Sequence, residues 1–294
     1  MNRKFYDLIK STTLEIDKKK MIKRYERSFP KYADELKRNQ LFCDMHKGQT
    51  CFVLGNGPSL NDVDFSLLSK EVTFTVNWLT RNPKYSELKT NYHFFTCENL
   101  FMTDDSNDRS FELVNRFKEV NAGGSKPTVF FDYKAHDMVD KYRLMEDINI
   151  NYISLCGVEF NTFIRNNKLD ITGIIPDFQT VIQAAVCVAV YMGFKKIVLL
   201  GCDSTDFLNY VKKTGDEGIE DQYAYKMEKI DKDMIEELKN DYTNAHILSS
   251  ASRLLMGYYN LYNYCDKIGV ELINATKNSL IDCVPYLPLE NILL

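Results

Sequence analysis

The sequence is poor in the features that mark metal sites, disulfide frameworks and membrane spans. Its four histidines are scattered without metal-ligand spacing, which argues against a zinc site. None of the eight cysteines forms a C-x-x-C pair and several lie in apolar patterns, as free buried thiols do. The longest apolar run, near Val181–Tyr191, is shorter than the roughly 20 residues of a spanning helix. These features favour an ordinary globular protein without a transmembrane segment.

The N-terminus also lacks the uninterrupted apolar core and small-residue cleavage site of a secretory signal, so we predict a cytoplasmic protein. Residues 1–38 hold 12 Lys/Arg and 6 Asp/Glu, which gives +6, and since the net charge is −4 the remainder carries −10. The basic segment either forms a solvated helix face or makes a peripheral contact with anionic lipids at the inner face of the membrane. A packing element or a homo-oligomer contact is a further alternative. Because the body is acidic, nucleic acid is not an expected partner.

From Gln49 onward, short β-rich runs alternate with helical segments, which predicts a Rossmann-like α/β fold with a mostly parallel sheet flanked by helices. Strands are predicted at TCFVLG, VTFTVNW, YHFFTC, PTVFFDY, NINYISL, FKKIVLLGCD and VELINAT. Helices are predicted at NDVDFSLL, TVIQAAVCVAVYMG and ASRLLMGYYNLYNYCDKIG. We assign residues 1–46 to a basic helical extension and residues 47–294 to the α/β domain. Within it, the acidic and weakly periodic segment 207–245 is predicted to be a lid or excursion.

One strand runs directly into the turn Gly55-Asn56-Gly57-Pro58-Ser59, which lies at the sheet edge where open α/β folds bind ligands. The glycines allow positive φ and close approach of a ligand, and the amides of the following helical turn would face a nucleotide phosphate. The Asn56 amide can both donate and accept, as ribose or base edges require. The motif is neither a Walker loop nor G-x-G-x-x-G. A purely structural turn is the alternative, and Gly57→Val is expected to separate the two by blocking the site without unfolding the chain.

Four stretches together carry a family resemblance: VLGNGPSL, the strand ending in Asn77, MGFKKIVLLGCD and LINATKNSL. Over roughly residues 47–289 the chain resembles the bacterial metal-independent sialyltransferases and the superfamily around them. That superfamily includes 6-hydroxymethylpterin diphosphokinase-like proteins and many proteins of capsule and lipopolysaccharide loci. The resemblance implies a GT-A-like variant of the Rossmann-like fold. It also implies transfer of a sugar, such as a sialic-acid-like sugar from a CMP-activated donor, to a glycan or lipid-linked glycan acceptor.

The resemblance also assigns roles to residues of this chain. Asn56 and Asn77 would hold the cytidine nucleotide, and His246 would act as general base on the acceptor hydroxyl, since histidine titrates near neutral pH. Three tyrosines are candidates to neutralise the departing phosphate: Tyr210, Tyr223 and Tyr225.

Two positions depart from the family pattern on the side of the donor sugar. The chain has Thr180-Val181-Ile182 where the sialyltransferases have a Thr-Ser-Gly turn. The asparagine expected after the third strand is replaced by the sequence TCEN, in which Asn99 matches only if the alignment is shifted by two residues. These departures put sialic acid in doubt more than nucleotide binding. Asp203, at the end of a buried strand, is either a ligand group or a cap on the next turn.

No D-x-D motif follows a predicted strand, and Asp62–Asp64 lies in the segment after the turn, where a capping or surface role is favoured. We therefore expect no metal and no cofactor beyond the nucleotide-sugar co-substrate. The alternative of an ATP-dependent diphosphokinase would bring Mg²⁺ to carboxylates such as Asp203 and Asp206. A third alternative is a non-catalytic nucleotide-binding component of a polysaccharide assembly complex.

Overall fold

Each β-rich run predicted from the sequence forms a strand of one parallel sheet in the computed structural model of the protein. The structure describes residues 20, 23, 27, 33–96, 108–124, 126–146, 148–160, 169–213, 215 and 223–293. The strands are β1 Thr50–Leu54, β2 Val72–Val76, β3 Tyr92–Phe95, β4 Thr128–Asp132, β5 Asn149–Glu159, β6 Ile174–Asp177, β7 Lys196–Leu200 and β8 Glu271–Asn274. Their order is β6-β5-β4-β3-β2-β1-β7-β8, and all the described pairings are parallel. The predicted Rossmann-like α/β fold is confirmed.

The strands are apolar because both faces of the sheet are covered. In β1, β2, β4 and β7 the last four residues are buried, as parallel strands between helical layers require. The sequence did not predict β6, a four-residue strand that contains Pro176. Proline cannot donate to a neighbouring strand, and it is tolerated here because β6 lies at the edge of the sheet.

Helices cover the sheet and include the predicted alanine-rich helix. The α-helices are α1 Ala33–Lys37, α2 Asp108–Ala122, α3 His136–Lys141, α4 Val181–Tyr191, α5 Lys229–Asp241 and α6 Asn244–Ile268. The 3₁₀ turns are Arg38–Phe42, Pro58–Asp62, Phe65–Leu68, Asn77–Arg81, Tyr85–Leu88, Tyr133–Ala135, Leu144–Glu146, Asp206–Asn209 and Leu289–Asn291. All nine residues from Val181 to Ala189 are buried, so α4 is the central helix of the core.

Two helical predictions need correction. The segment NDVDFSLL does not begin an α-helix: it forms parts of two 3₁₀ turns, because the Asp64 carboxylate accepts a hydrogen bond from the Ser66 amide and starts a new turn there. The final helix α6 begins at Asn244, earlier than predicted, since Thr243 caps its N-terminus. Within the predicted excursion 207–245, residues 229–241 form the regular helix α5, which begins with a capping box between Glu228 and Asp231.

The predicted extension 1–46 falls largely outside the described residues, and the domain boundary after it stays a prediction. In its described part, Leu36 and Phe42 are buried, and the Asn39 amide donates to the Tyr152 and Ile171 carbonyls. Among the described cysteines, all seven are free and five are buried. No helix in the described part of the chain combines the length and apolar character needed to cross a membrane.

The strand order fixes where a ligand crevice opens. The chain adds β2 to β6 on one side of β1 and then returns through α4, so that β7 pairs on the other side. The connections that follow β1 and β7 therefore lead to strands on opposite sides of β1. Open α/β sheets bind ligands at such a point of reversal.

Candidate functional site

A cavity of about 470 Å³ lies over the β1–β7 crevice. Nine residues singled out from the sequence line it: Gly55, Asn56, Gly57, Asn77, Thr180, Asp203, Tyr210, Tyr223 and Tyr225. Three others, Pro58, Ser59 and His246, are not in its lining. The predicted residue Asn99 lies outside the described residues. Strand ends that are far apart in sequence thus converge on one site.

The two glycines of the opening motif are required by the β7 loop. The Gly55 amide donates to the Leu200 carbonyl and the Gly57 amide donates to the Gly201 carbonyl, each at 2.8 Å. A Cβ on Gly55 would lie 2.3 Å from the Gly201 oxygen, and one on Gly57 would lie 2.8 Å from the same atom. The prediction that these glycines supply positive φ is wrong, since φ at Gly57 is −69°. They permit two loops to pack backbone to backbone.

This packing also corrects the expectation for Gly57→Val. A Cβ at this position would meet the Asp203 carboxylate as well as the Gly201 carbonyl. A larger side chain therefore displaces the β7 loop, and the substitution does not separate a binding role from a structural one.

Asp203 occupies the place predicted for a phosphate. Its carboxylate accepts hydrogen bonds from the Ser59 amide at 3.2 Å and from the Ser59 hydroxyl at 2.7 Å. Burial raises the pKa of Asp203, and the two bonds from Ser59 oppose that shift. The amides of Gly55, Gly57 and Ser59 all donate within the chain. The prediction that the start of this turn presents its amides to a phosphate is therefore wrong.

Two asparagines that line the cavity have unused hydrogen-bonding capacity. The side-chain oxygens of Asn56 and Asn77 are both buried and accept no hydrogen bond from the described residues. Both residues line the cavity. Asn77 also has φ of 44°, a left-handed conformation uncommon outside glycine. Unpaired buried polar atoms and backbone strain cluster at functional sites because a ligand or a tertiary contact compensates for them.

Tyrosines form one wall of the cavity. The Tyr223 and Tyr225 rings stack with centroids 5.2 Å apart and planes 9° from parallel. The intervening Ala224 fixes them, since its amide donates to the Asn56 carbonyl at 2.7 Å and its carbonyl accepts from the Asn82 side chain. Burial raises the pKa of Tyr223, so its hydroxyl keeps its proton at neutral pH. The wall therefore presents neutral hydroxyl groups.

A buried ion-pair cluster holds helix α5 beside this wall. The Arg81 guanidinium contacts Glu112 of α2 at 2.5 Å and Asp231 of α5 at 2.7 Å, and its own side chain is only 3% exposed. It also lies 4.2 Å from the ring centroid of Trp78, which lines the cavity. Arg81 thus ties α2, α5 and the turn after β2 together.

His246 lies in an adjoining cavity of about 490 Å³. Its Nδ1 accepts a hydrogen bond from the Thr243 amide at 3.4 Å and lies 3.1 Å from the Thr243 hydroxyl. An amide only donates, so the neutral ring carries its proton on Nε2 in this arrangement. The atom positions fit an N-terminal cap of α6. Action as a base would require His246 to give up this contact or exchange the tautomer.

Sequence reasoning singled out Tyr210 and Asp206 among the residues that line both cavities and missed the other three. Five residues line both: Gln179, Ser204, Asp206, Tyr210 and Leu254. Asp206 was considered only as a magnesium ligand, and burial raises its pKa. Ser204 has φ of 58°, which no sequence pattern indicates. The polar run Asp203–Asp206, which follows a buried strand, was the available signal for Ser204 and Asp206.

Cation ligands are sparse around the cavity. In the described ranges, no group of three or more His, Cys, Asp or Glu side chains lies together as a metal site would require. Asp203 and Asp206 both line the cavity, so they are the residues that the diphosphokinase alternative would use.

Comparisons with known proteins find a likeness of fold. No protein-family model and no curated protein matches the chain. Among solved structures, the chain is similar to the sialyltransferase CstII from Campylobacter jejuni in complex with a substrate analogue, cytidine-5'-monophosphate. The sequence identity is 18% and the TM-score is 0.46, over 82% of this chain and 86% of that chain.

Proposed function

We propose that the protein is a glycosyltransferase that binds its nucleotide-sugar donor in the cavity between the β1 loop and Asn77. The observation that carries this proposal is that Asn56 and Asn77, whose buried amide oxygens accept no hydrogen bond from the described residues, line the same cavity. Such acceptors call for N–H or O–H groups on the ligand. The amino group of cytosine and the hydroxyls of ribose supply these donors.

The tyrosine wall suits the leaving group. When the bond between the anomeric carbon and the phosphate oxygen breaks, negative charge builds on that phosphate, and fixed hydroxyl donors can stabilise it. The cavity-lining Tyr210 and Tyr223 offer hydroxyls for this role, and burial keeps the Tyr223 hydroxyl protonated. This arrangement would need no metal ion to assist departure.

The acceptor hydroxyl must lose a proton as its oxygen attacks the anomeric carbon, and two residues are candidates for the base. His246 lines only the adjoining cavity, which we assign to the acceptor. Asp206 lines both cavities, so its carboxylate is the better placed of the two. The roles separate by substitution: Asp206→Asn and His246→Asn remove one base each while keeping side-chain size.

The finer parts of the proposal rest on the sequence. The motif resemblance favours a cytidine nucleotide and an acceptor in surface-polysaccharide synthesis. The charge of +6 on residues 1–38 favours steering to an anionic membrane that carries a lipid-linked acceptor. That contact predicts salt-sensitive binding to anionic vesicles, lost when residues 1–38 are removed.

Calorimetry against CMP, CDP, UDP, GDP and ATP tests the central claim. We expect CMP to bind most tightly and Asn77→Gly to weaken it at least tenfold, because glycine accepts positive φ and removes only the amide side chain. The matched control is Asn149→Ala, an exposed amide at the start of β5, which should leave affinity unchanged. Binding of ATP that strictly requires Mg²⁺ would favour the diphosphokinase, and binding of none of the five would reject a nucleotide site.

Donor turnover tests the base. With a donor identified, the variant that removes the base should lower turnover by about 10²–10⁴-fold without changing CMP affinity. A loss below about threefold in both variants would exclude both residues.

A further inference from the structure

His93 is a buried histidine that lies beneath the proposed nucleotide site and belongs to none of its walls. The residue is 0% exposed, in β3, and Phe95 and Phe117 pack on its ring with centroids 5.0 and 5.2 Å away. Its Nε2 lies 3.0 Å from the backbone carbonyl oxygen of Asn77. A buried histidine in such a setting serves either packing or the placement of its partner.

The hydrogen bonds of His93 define its tautomer. A carbonyl oxygen only accepts, so Nε2 carries the proton and donates it to Asn77. Nδ1 has one lone pair and accepts from one of the two hydroxyls beside it, Thr75 Oγ1 at 2.7 Å or the Tyr85 hydroxyl at 3.0 Å. These two hydroxyls are 3.1 Å from each other. Burial lowers the pKa of His93 to about 3, so the ring stays neutral and this pattern persists at physiological pH.

Asn77 needs such a support. Its φ of 44° costs free energy for a residue with a side chain, and such conformations persist where surrounding contacts enforce them. The strained residue starts the 3₁₀ turn Asn77–Arg81, which also carries the cavity residue Trp78. The orientation of the Asn77 backbone therefore decides where its unpaired side-chain oxygen lies.

We propose that His93 is a positioning residue: its Nε2–H bond to the Asn77 carbonyl holds Asn77 in the left-handed conformation that presents its amide to the nucleotide. Thr75 and Tyr85 fix the His93 ring in turn. The effect on nucleotide affinity rests on the proposed function, whereas the effect on the Asn77 backbone does not.

Two variants separate positioning from packing. His93→Gln retains a donor that reaches the Asn77 carbonyl and an acceptor for the hydroxyls, and His93→Phe retains the ring without either. The control is His46→Phe: His46 stacks on Phe194 and bonds the Tyr92 hydroxyl near the opposite edge of the sheet. The His46→Phe substitution removes a packed histidine that does not contact Asn77.

The first measurement is the Cα and Cβ chemical shifts of Asn77, which report φ without any ligand. We expect left-handed values in the parent, His93→Gln and His46→Phe, and a move away from them in His93→Phe. CMP affinity should fall by about fivefold or more in His93→Phe alone, because the binding-competent conformer is less populated. Unchanged Asn77 shifts in folded His93→Phe would overturn the inference.

Two further outcomes remain decisive. If His93→Phe does not fold, ¹⁵N spectra of the parent imidazoles still test the claim, since we require the proton on Nε2 and a His93 ring protonated on Nδ1 would refute it. If the parent binds none of the five nucleotides, the proposed function fails, and the Asn77 shifts alone then decide the role of His93.

Discussion

Ser59 and Asp203 join the loops that leave β1 and β7, with the Ser59 hydroxyl donating to the Asp203 carboxylate at 2.7 Å. The Ser59 amide donates to the same carboxylate at 3.2 Å, so two hydrogen bonds join Ser59 to Asp203. The pair provides hydrogen bonds to an Asp side chain that is buried. The contact makes the loop pair a single unit under the proposed nucleotide site.

Ser59→Ala should lower the free energy of unfolding by about 1–2 kcal/mol, because it removes a hydrogen bond to a charged group that is partly buried. The matched control is Ser69→Ala, which removes a hydroxyl that donates to the Ser66 carbonyl at an exposed turn. Its cost should stay within about 0.5 kcal/mol. Urea unfolding measures both, and equal costs would show that the Asp203 contact adds no stability.

Gly57→Ala should destabilise the fold by more than 2 kcal/mol, because the new Cβ would meet the Asp203 carboxylate and lie 2.8 Å from the Gly201 carbonyl oxygen. Gly173→Ala is the control, since its Cβ would make an ordinary contact at 3.7 Å from the Asp170 oxygen. Thermal unfolding of both variants provides the comparison. A Gly57→Ala protein as stable as the parent would mean that the two loops separate easily.

Arg81→Met should release helix α5. The substitution keeps an apolar chain beside Trp78 but leaves Glu112 and Asp231 without their buried cation, at a cost of about 3 kcal/mol. We expect faster proteolysis within residues 223–241 as well as lower global stability. Arg116→Met, which removes an exposed pair with Glu119, should change neither by a comparable amount. Slow cleavage in both variants would show that other contacts hold α5.

Asp132→Asn should change how stability depends on pH. Asp132 is 3% exposed, and burial raises its pKa to about 7, with a smaller contribution from the charge of Asp177. The unfolded chain loses this proton near pH 4 and the folded chain only near pH 7. Between these values the folded state binds more protons, so stability falls as pH rises and the loss is complete above about pH 7.

The difference between parent and Asp132→Asn isolates this contribution. Relative to the variant, the parent should lose stability from pH 4 to pH 8 by an amount on the order of 4 kcal/mol at most, since each unit of pKa shift corresponds to about 1.4 kcal/mol. Urea unfolding at several pH values measures it. Parallel curves for the two proteins would place the Asp132 pKa near its ordinary value in the folded state.

The sequence by itself determined the parallel sheet and the edge of the sheet at which the candidate site lies. Runs such as Cys51–Leu54 are apolar at every position, which a strand requires when helices cover both faces of the sheet. Because parallel strands end at the same edge, the polar residues that follow β1, β2 and β7 could be assigned to one site before any contact was known. The short edge strand β6 was beyond this reasoning, since Pro176 interrupts the pattern that predicts strands.

The tertiary structure alone decided what each of these residues does. Ser59 and Asp203 are 144 residues apart, and only the pairing of β1 with β7 brings them together. That pairing converts two glycines expected to receive a ligand into points of loop contact, and fills an expected phosphate position with a carboxylate. The pairing of β2 with β3 separately places His93 under Asn77. Local sequence patterns indicate which residues are buried and whether a segment forms a helix or a strand. The contacts described here depend instead on the strand order and on the packing of distant loops.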